Sequence, residues 1–222
     1  MTYDALLFDH DGVLLRVDPG DRERFHDAVR EAFAAVGADP DAEDVRELVY
    51  GVSPEQVQAV ADRYGVDPEA FWRARDEHCS RVQRRAIDAG EKRLYDDVDA
   101  LAALDRPLGV VSTNQQATLE HVVETFGDRL PAFESVHGRP PTIRSLRRKK
   151  PNPHYLERAL DALDATRALY VGDSPHDVEA AHAAGLDAAF LRREHNADVE
   201  PDRSPEYELQ GLEEIRTIAG EN

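Results

Sequence analysis

Short apolar runs that end in polar residues recur along the chain. Ala5–Phe8, Leu108–Val111 and Ala168–Val171 predict buried strands, Ala188–Leu191 is a fourth such run, and Ser135–His137 is a weaker fifth. Helical periodicity fills intervals between them, over residues 97–104, 117–126, 153–163 and 175–184. Strands that alternate with helices predict an α/β fold with a doubly wound parallel sheet, in which ligands bind outside the carboxyl ends of the strands.

The interval between the first and second predicted strands is too long for one crossover connection. Its apolar residues recur at helical spacing over residues 25–36, 45–49 and 57–64. Asp67 followed by Pro68 then predicts the N-cap and first turn of a long helix that continues past Val82. We therefore expect a helical insertion that lies over the polar ends of the strands.

This pattern predicts two domains. The core domain comprises residues 1–15 and 91–222, and the helical cap domain comprises residues 16–90. The linkers are predicted at Arg16–Asp21 and Ala89–Tyr95.

Acidic residues stand directly after the first and third of the strongest strand predictions. Asp9 and Asp11 bracket one residue past the first strand, where Gly12 permits a sharp turn, and Asp173 follows the strand that ends at Val171. An aspartate nucleophile needs a second carboxylate that protonates the leaving oxygen and later deprotonates water. Asp9 suits the first role and Asp11 the second. Asp9, Asp173 and a backbone carbonyl near Asp11 are the expected ligands of Mg²⁺, although an ordinary Asp-Gly turn is an alternative for the first motif.

Hydroxyl, amide and cationic side chains follow other strands. Ser112, Thr113 and Asn114 can hold phosphate oxygens, but these residue types are also common N-caps. Lys150, which precedes Pro151, can neutralise the nucleophile and the transferred phosphoryl group, and Lys149 remains an alternative.

A helix N-terminus is predicted just after Asp173. Ser174 fits the N-cap, Pro175 the first helical position and Asp177 the third, which together make a capping box. Capping explains Ser174 and Asp177 but not Asp173, and Asp177 can also orient the lysine or a metal-bound water.

The formal net charge of −18 arises from 25 Asp and 20 Glu against 24 Arg and 3 Lys, spread over the whole chain. A soluble acidic protein or adaptation to a salt-rich cytoplasm explains it, and the Lys-poor, Asp-rich composition resembles that of halophilic archaeal proteins. Without a basic face, nucleic acid is not an expected partner. The basic stretch from Arg139 to Lys150 is either a solvated loop or a positive rim that draws in an anionic substrate.

No apolar run approaches the roughly 20 residues that cross a bilayer, and the start, Met1–Asp4, lacks signal-peptide features. The single cysteine, Cys79, offers neither a disulfide framework nor a Cys-based zinc site. We expect a cytoplasmic protein with no membrane partner, as a monomer or a homodimer.

Four segments in this order resemble the motifs of the haloacid dehalogenase-like hydrolase superfamily. They are Asp9-His10-Asp11-Gly12-Val13, Ser112-Thr113-Asn114, Lys150-Pro151 and Gly172-Asp173-Ser174-Pro175-His176-Asp177. An insertion after the first motif resembles the helical-cap branch, which contains phosphoglycolate phosphatases and β-phosphoglucomutases. The resemblance implies that Asp9 is nucleophile and metal ligand, Asp11 acid/base, Ser112 and Lys150 phosphoryl-binding, and Asp173 a metal ligand. An aspartate at Asp11 favours a phosphatase over a dehalogenase.

The cap loop Tyr50-Gly51-Val52-Ser53 resembles the substrate loop of the mutases, but Pro54 stands where they carry an arginine. We therefore predict Mg²⁺-dependent hydrolysis of a small phosphorylated metabolite, with phosphoglycolate as the analogous substrate. The alternatives are a phosphotransferase or mutase and, on the same fold, a non-catalytic binding protein.

Overall fold

The computed structural model describes residues 3–17 and 21–220, in which six strands form one sheet in the order β3-β2-β1-β4-β5-β6. Every neighbouring pair is parallel, as predicted. The strands are β1 (Ala5–Phe8), β2 (Leu108–Gln115), β3 (Ser135–Arg139), β4 (Ala168–Gly172), β5 (Asp187–Leu191) and β6 (Tyr207–Leu209).

Helices account for much of the remaining described chain. The α-helices are α1 (Asp21–Ala35), α2 (Ala42–Glu47), α3 (Pro54–Tyr64), α4 (Pro68–Asp88), α5 (Gln116–Thr125), α6 (Ile143–Leu146), α7 (His154–Leu163), α8 (Pro175–Ala183) and α9 (Ile215–Ala219). Three 3₁₀ helices span Asp96–Ala103, Glu194–Asn196 and Leu212–Glu214. The first of these occupies the segment predicted as helical over residues 97–104.

The sheet is buried on both faces. Along β1, Leu6 and Phe8 pack into one apolar cluster, whereas Ala5 and Leu7 pack into another. Helices α5 and α9 contribute to the first cluster, and α7 and α8 contribute to the second. The doubly wound α/β fold is therefore confirmed, since alternate residues of one strand face different helical layers.

All five predicted strands are present, and one further strand was missed. The edge strand β6 is three residues long and carries the charged Glu208 at its centre. Such a short strand lacks the apolar run that identified the others, so its hydrophobic pattern gave no signal.

The insertion has its own apolar core. Phe33 on α1, Val57 on α3 and Trp72 on α4 belong to one cluster, which also includes Leu146 of α6. The predicted start of α4 is confirmed, because the Asp67 carboxylate accepts a hydrogen bond of 2.7 Å from the Ala70 N–H. This separate core supports a cap domain over residues 16–90, which we keep as a proposal. Of the predicted linker Arg16–Asp21, residues 18–20 lie outside the described residues.

Strand register brings the polar strand ends together. Phe8 is paired with Val110 of β2 and with Val171 of β4, and the Asp9 N–H donates to the Val171 carbonyl over 2.8 Å. The residues that follow β1, the second half of β2 and the end of β4 therefore share the carboxyl edge of the sheet, which is where a ligand site is expected.

Candidate active site

Lys150 links two buried carboxylates at this edge. Its Nζ lies 2.8 Å from Asp9 Oδ1 and 2.5 Å from Asp177 Oδ1, and it donates a hydrogen bond of 2.7 Å to the Tyr170 hydroxyl. Between the two adjacent lysines, it is Lys150 that contacts Asp9, whereas Lys149 donates to the Val52 carbonyl over 2.7 Å.

The charges of this cluster oppose one another. Burial raises the pKa of Asp9 to about 8; Lys150 opposes this rise, and the carboxylates of Asp177 and Asp173 add to it. Burial lowers the pKa of Lys150, but Asp177 and Asp9 outweigh this effect and raise it above its usual range. The lysine is therefore charged at neutral pH, and an unscreened Asp9 carboxylate is costly to ionise.

Three carboxylates lie close enough to bind one cation. Asp9, Asp173 and Asp177 each offer an oxygen atom, and these atoms lie within 4.8 Å of one another. A set of oxygen donors suits a hard divalent ion such as Mg²⁺. Burial, together with the Asp177 charge, raises the pKa of Asp173 even though His195 opposes the rise. A divalent cation would relieve this repulsion, so the predicted pair Asp9 and Asp173 fits a metal site.

Asp177 is already engaged as predicted at the start of α8. The Ser174 N–H and hydroxyl both donate to Asp177 Oδ2, over 2.9 and 2.6 Å, and Pro175 is the first helical residue. Since its other oxygen contacts Lys150, Asp177 holds the lysine against Asp9.

The Asp11 carboxylate points to a different set of partners. Asn114 Nδ2 donates to Asp11 Oδ2 over 2.8 Å, Lys92 Nζ lies 3.6 Å from Oδ1, and His10 Nδ1 lies 3.2 Å from Oδ2. Burial raises the pKa of Asp11, but His10, Lys92 and Asn114 outweigh burial and lower it below its usual range. The carboxylate is therefore ionised, which suits a base, and its side chain is not part of the three-carboxylate cluster.

The predicted phosphate-binding residues lie near the carboxyl end of strand β2. Ser112 is buried and its Oγ accepts a hydrogen bond of 3.2 Å from the Asn114 N–H, while Thr113 and Asn114 line the adjacent cavity. The alternative that these residues cap a helix does not hold, because Gln115 is the N-cap of α5.

A cavity of about 470 Å³ opens between this edge and the insertion. Its lining includes all three lysines of the chain, Lys92, Lys149 and Lys150. The basic stretch from Arg139 to Lys150 therefore contains residues of two kinds. Arg139 also lines the cavity, whereas Arg147 forms an exposed ion pair of 2.6 Å with Glu55.

Several polar residues at the cavity were not predicted. Arg75 and Gln83 come from α4, and Lys92 from the segment that follows it. Gln83 Nε2 donates to Asn114 Oδ1 over 3.0 Å, so the insertion contacts the residue that holds Asp11. The sequence offered one signal for Lys92, which is that lysine is rare in this chain: Lys92 is one of only three.

Another unpredicted residue touches the cluster of three carboxylates. His195 Nε2 lies 2.6 Å from Asp173 Oδ2, and the neighbouring Asn196 donates to the Asp173 carbonyl over 2.7 Å. Both lie in a 3₁₀ helix after β5, outside the four motifs. Within the described part of the chain, no helix combines the length and apolar character needed to cross a bilayer.

A doubly wound sheet with buried carboxylates and a lysine at its carboxyl edge, under a helical insertion, defines a hydrolase of the phosphoryl-transfer type. The chain belongs to the haloacid dehalogenase-like hydrolases, whose family model matches residues 3–185.

Similar proteins are phosphatases. The chain is 30% identical over 192 residues to a phosphoglycolate phosphatase of Rhodobacter capsulatus, covering 82% of this chain and 81% of the relative. It is also 30% identical over 205 residues to an N-acetylmuramic acid 6-phosphate phosphatase of Pseudomonas aeruginosa, covering 86% and 83%. The protein is accordingly a phosphatase, a hydrolase of phosphoric monoesters.

Solved structures agree on the fold. The chain resembles CbbY of Rhodobacter sphaeroides, solved in complex with phosphate, with a TM-score of 0.67 and 24% identity, covering 96% of both chains. This likeness supports the whole architecture, insertion included.

Proposed function

We propose that the protein is a Mg²⁺-dependent phosphomonoesterase that hydrolyses a small phosphorylated metabolite through a covalent phosphate on Asp9. The observation that carries this proposal is the buried Asp9 carboxylate, held 2.8 Å from the Lys150 ammonium beside Asp173. The relatives named phosphoglycolate phosphatase make phosphoglycolate the first substrate to test.

In the first step, an Asp9 oxygen attacks phosphorus in line and the bond from phosphorus to the ester oxygen breaks. Lys150 neutralises charge on Asp9 and on the phosphoryl group, while Ser112 and Thr113 hold phosphoryl oxygens. Asp11 is ionised in the free protein; it takes a proton from solvent when the dianionic substrate binds beside it, and gives this proton to the leaving alkoxide.

In the second step, Asp11 takes a proton from a water molecule that attacks the phosphorus of the aspartyl-phosphate. The bond between phosphorus and the Asp9 oxygen breaks, which releases phosphate and restores the Asp9 carboxylate. The insertion covers the site and keeps bulk water out of it during the first step. Gln83 of the insertion donates to Asn114 of β2, which links the insertion to the site.

Asp9, Asp173 and the Asp11 backbone carbonyl would hold the Mg²⁺ ion. When bound, the ion screens the repulsion between the Asp9 carboxylate and the phosphate dianion. Asp177 positions Lys150 through their contact of 2.5 Å.

The proposed setting is a salt-rich cytoplasm, in which the protein acts as a monomer or a homodimer on a soluble metabolite. The net charge of −18 supports this setting and disfavours nucleic acid as a partner.

The test is hydrolysis of phosphorylated metabolites with Mg²⁺ at high salt by the wild-type protein and by Asp9→Asn. We expect Asp9→Asn to lose at least about 10³-fold in kcat, since it removes the nucleophile. The matched control, Asp128→Asn, changes an exposed residue and should retain full turnover. Equal turnover by wild type and Asp9→Asn would exclude Asp9 as nucleophile, and isomerised sugar phosphate in place of free phosphate would indicate a mutase.

A further inference from the structure

A buried polar network joins helix α4 of the insertion to the end of strand β2. Gln83 on α4 is 4% exposed, and its side-chain amide pairs with that of Asn114 through two hydrogen bonds. Gln83 Nε2 donates to Asn114 Oδ1 over 3.0 Å, and Asn114 Nδ2 donates to Gln83 Oε1 over 2.9 Å. Because each amide uses its donor and its acceptor on the other, neither can turn over without breaking both bonds.

The orientation of the Asn114 amide is fixed by two partners that each have a single role. The ionised Asp11 carboxylate can only accept, and Asn114 Nδ2 donates to its Oδ2 over 2.8 Å. The Gln115 backbone N–H can only donate, and it donates to Asn114 Oδ1 over 2.8 Å. The amide nitrogen of Asn114 therefore faces Asp11, and its amide oxygen faces the N-cap of α5.

The Asp11 side chain needs such support because it is 36% exposed. A carboxylate that transfers a proton must keep one oxygen toward the reacting group, whereas an exposed aspartate can occupy several rotamers. Lys92 Nζ lies 3.6 Å from Asp11 Oδ1, which is an ion-pair distance but too long for a hydrogen bond. With Oδ2 occupied by Asn114, Oδ1 is the oxygen that can carry the transferred proton.

We propose that Gln83 is a positioning residue, which acts through Asn114 to hold Asp11 so that its Oδ1 delivers the proton to the leaving oxygen. This inference rests on the proposed function and deepens it. In that step, the bond between phosphorus and the ester oxygen breaks, a bond between phosphorus and an Asp9 oxygen forms, and the proton on Asp11 Oδ1 passes to the ester oxygen. Gln83 itself neither gives nor takes a proton.

The test compares two kinds of leaving group in Mg²⁺-dependent turnover. Alkyl phosphates such as phosphoglycolate release an alkoxide, which needs a proton, whereas acetyl phosphate releases acetate, which needs none. Gln83→Met keeps the length of the side chain and removes both hydrogen bonds to Asn114. We expect this variant to lower kcat/KM about tenfold or more for the alkyl phosphate and less than about twofold for acetyl phosphate. Retained turnover of acetyl phosphate also shows that the variant is folded.

Ser80→Ala is the matched control, because Ser80 lies one turn earlier on α4 and also contacts the core. Ser80 is 3% exposed, and its Oγ accepts a hydrogen bond of 2.9 Å from the Thr118 hydroxyl of α5. The substitution removes a buried contact between α4 and α5 and leaves the Gln83–Asn114 pair in place. It should change kcat/KM by the same factor for both phosphates, because it loosens the interface without turning Asp11.

A double-mutant cycle tests whether Gln83 acts through Asn114. In an Asn114→Ala background, Gln83→Met should change kcat/KM for the alkyl phosphate by less than about twofold, since the link to Asp11 is already absent. A full tenfold loss in that background would overturn the inference.

Two further results would also overturn it. Equal losses for both phosphates in Gln83→Met would indicate a purely structural role, and an unchanged kcat/KM for the alkyl phosphate would show that Asp11 needs no such support. The comparison of leaving groups depends on Asp11 and not on which residue attacks phosphorus. Full turnover by Asp9→Asn would therefore refute the proposed nucleophile, while the response to the leaving group would still decide the role of Gln83.

Discussion

At the scale of single residues, the charge balance of the site depends on Lys150. Its ammonium contacts both Asp9 and Asp177, while Asp173 completes a group of three carboxylates around one lysine. One cation among three carboxylates leaves the cluster with excess negative charge. The metal-free protein should therefore respond to pH at Asp9, the carboxyl group whose pKa is raised to about 8.

We predict that the metal-free protein loses stability as pH rises from 5 to 8. The folded-state pKa of Asp9 lies above its ordinary value of 3.8, so the native state binds more protons than the unfolded chain between these values. The free energy of unfolding then falls with rising pH, by at most about 1.4 kcal/mol per pH unit for one proton. Thermal unfolding in EDTA at pH 5, 6, 7 and 8 measures this slope.

Asp9→Asn provides the control for this prediction, because it removes the titrating group and keeps the shape. Its slope should be flatter than that of the wild type, with the difference isolating Asp9 from the histidines that titrate in the same range. Mg²⁺ should stabilise the wild type more at pH 8 than at pH 5, since metal ligands must be deprotonated. Parallel pH profiles for the two proteins would contradict the raised pKa.

Residues at strand ends were predictable because a parallel sheet fixes where its carboxyl edge lies. Asp9 and Asp173 follow apolar runs, and the structure brings them into one cluster. Arg75 and Gln83 were not predictable, because periodicity identifies α4 but not which of its polar residues turn toward the cavity at the strand ends. The catalytic and metal-binding roles assigned to the strand-end residues stay predictions that the variants described here test.

At the scale of elements, the turn after β1 lies directly against the Asp173 carboxylate. Gly12 has a φ of +81°, and a Cβ at this position would lie 1.9 Å from Asp173 Oδ2. The turn therefore requires a glycine at position 12 for two reasons, its backbone conformation and the close approach of the Asp173 carboxylate.

We predict that Gly12→Ala destabilises the protein and also lowers kcat/KM by at least about tenfold, because displacing Asp173 disturbs the proposed metal site. The matched control is Gly65→Ala at the end of α3, where φ is +66° and no atom would lie within 4 Å of the new Cβ. The control should lose about 1 kcal/mol of stability and no activity. Denaturant unfolding measures the stability of each variant, and Mg²⁺-dependent turnover measures its activity. Equal activity of the two variants would exclude a role for Gly12 in placing Asp173.

Element prediction succeeded where local signals agreed and failed where they were weak. The runs at Ala5–Phe8 and Ala168–Gly172 are apolar throughout and bury every residue, so the pattern alone identified them. The start of α4 followed from Asp67 and Pro68 because capping is a local interaction. Strand β6 is defined by its pairing with β5 and by the burial of Leu209, and such long-range contacts leave no trace in a sequence of three residues.

At the scale of the whole molecule, the two kinds of basic residue are distributed differently. All three lysines line one cavity, whereas many of the 24 arginines lie at the surface, where Arg30, Arg129 and Arg147 pair with acidic residues. Acidic side chains dominate the remaining charge and repel one another. Exposed charges are separated largely by solvent, so this repulsion depends on ionic strength, while the buried cluster around Lys150 is screened much less.

We predict that the unfolding temperature rises when KCl is increased from 0.1 to 2 M. The Debye length falls from about 10 Å at 0.1 M to roughly 3 Å at 1 M, which screens the self-repulsion that a net charge of −18 imposes on the folded state. A variant in which four exposed acids are replaced by their amides should show a smaller rise. These acids are Glu47, Glu124, Asp128 and Asp161. Calorimetric scans at each salt concentration measure the unfolding temperature of both proteins. If the unfolding temperature of the wild type stays flat or falls with salt, surface repulsion does not govern stability. The same conclusion follows if the unfolding temperature rises equally in the variant.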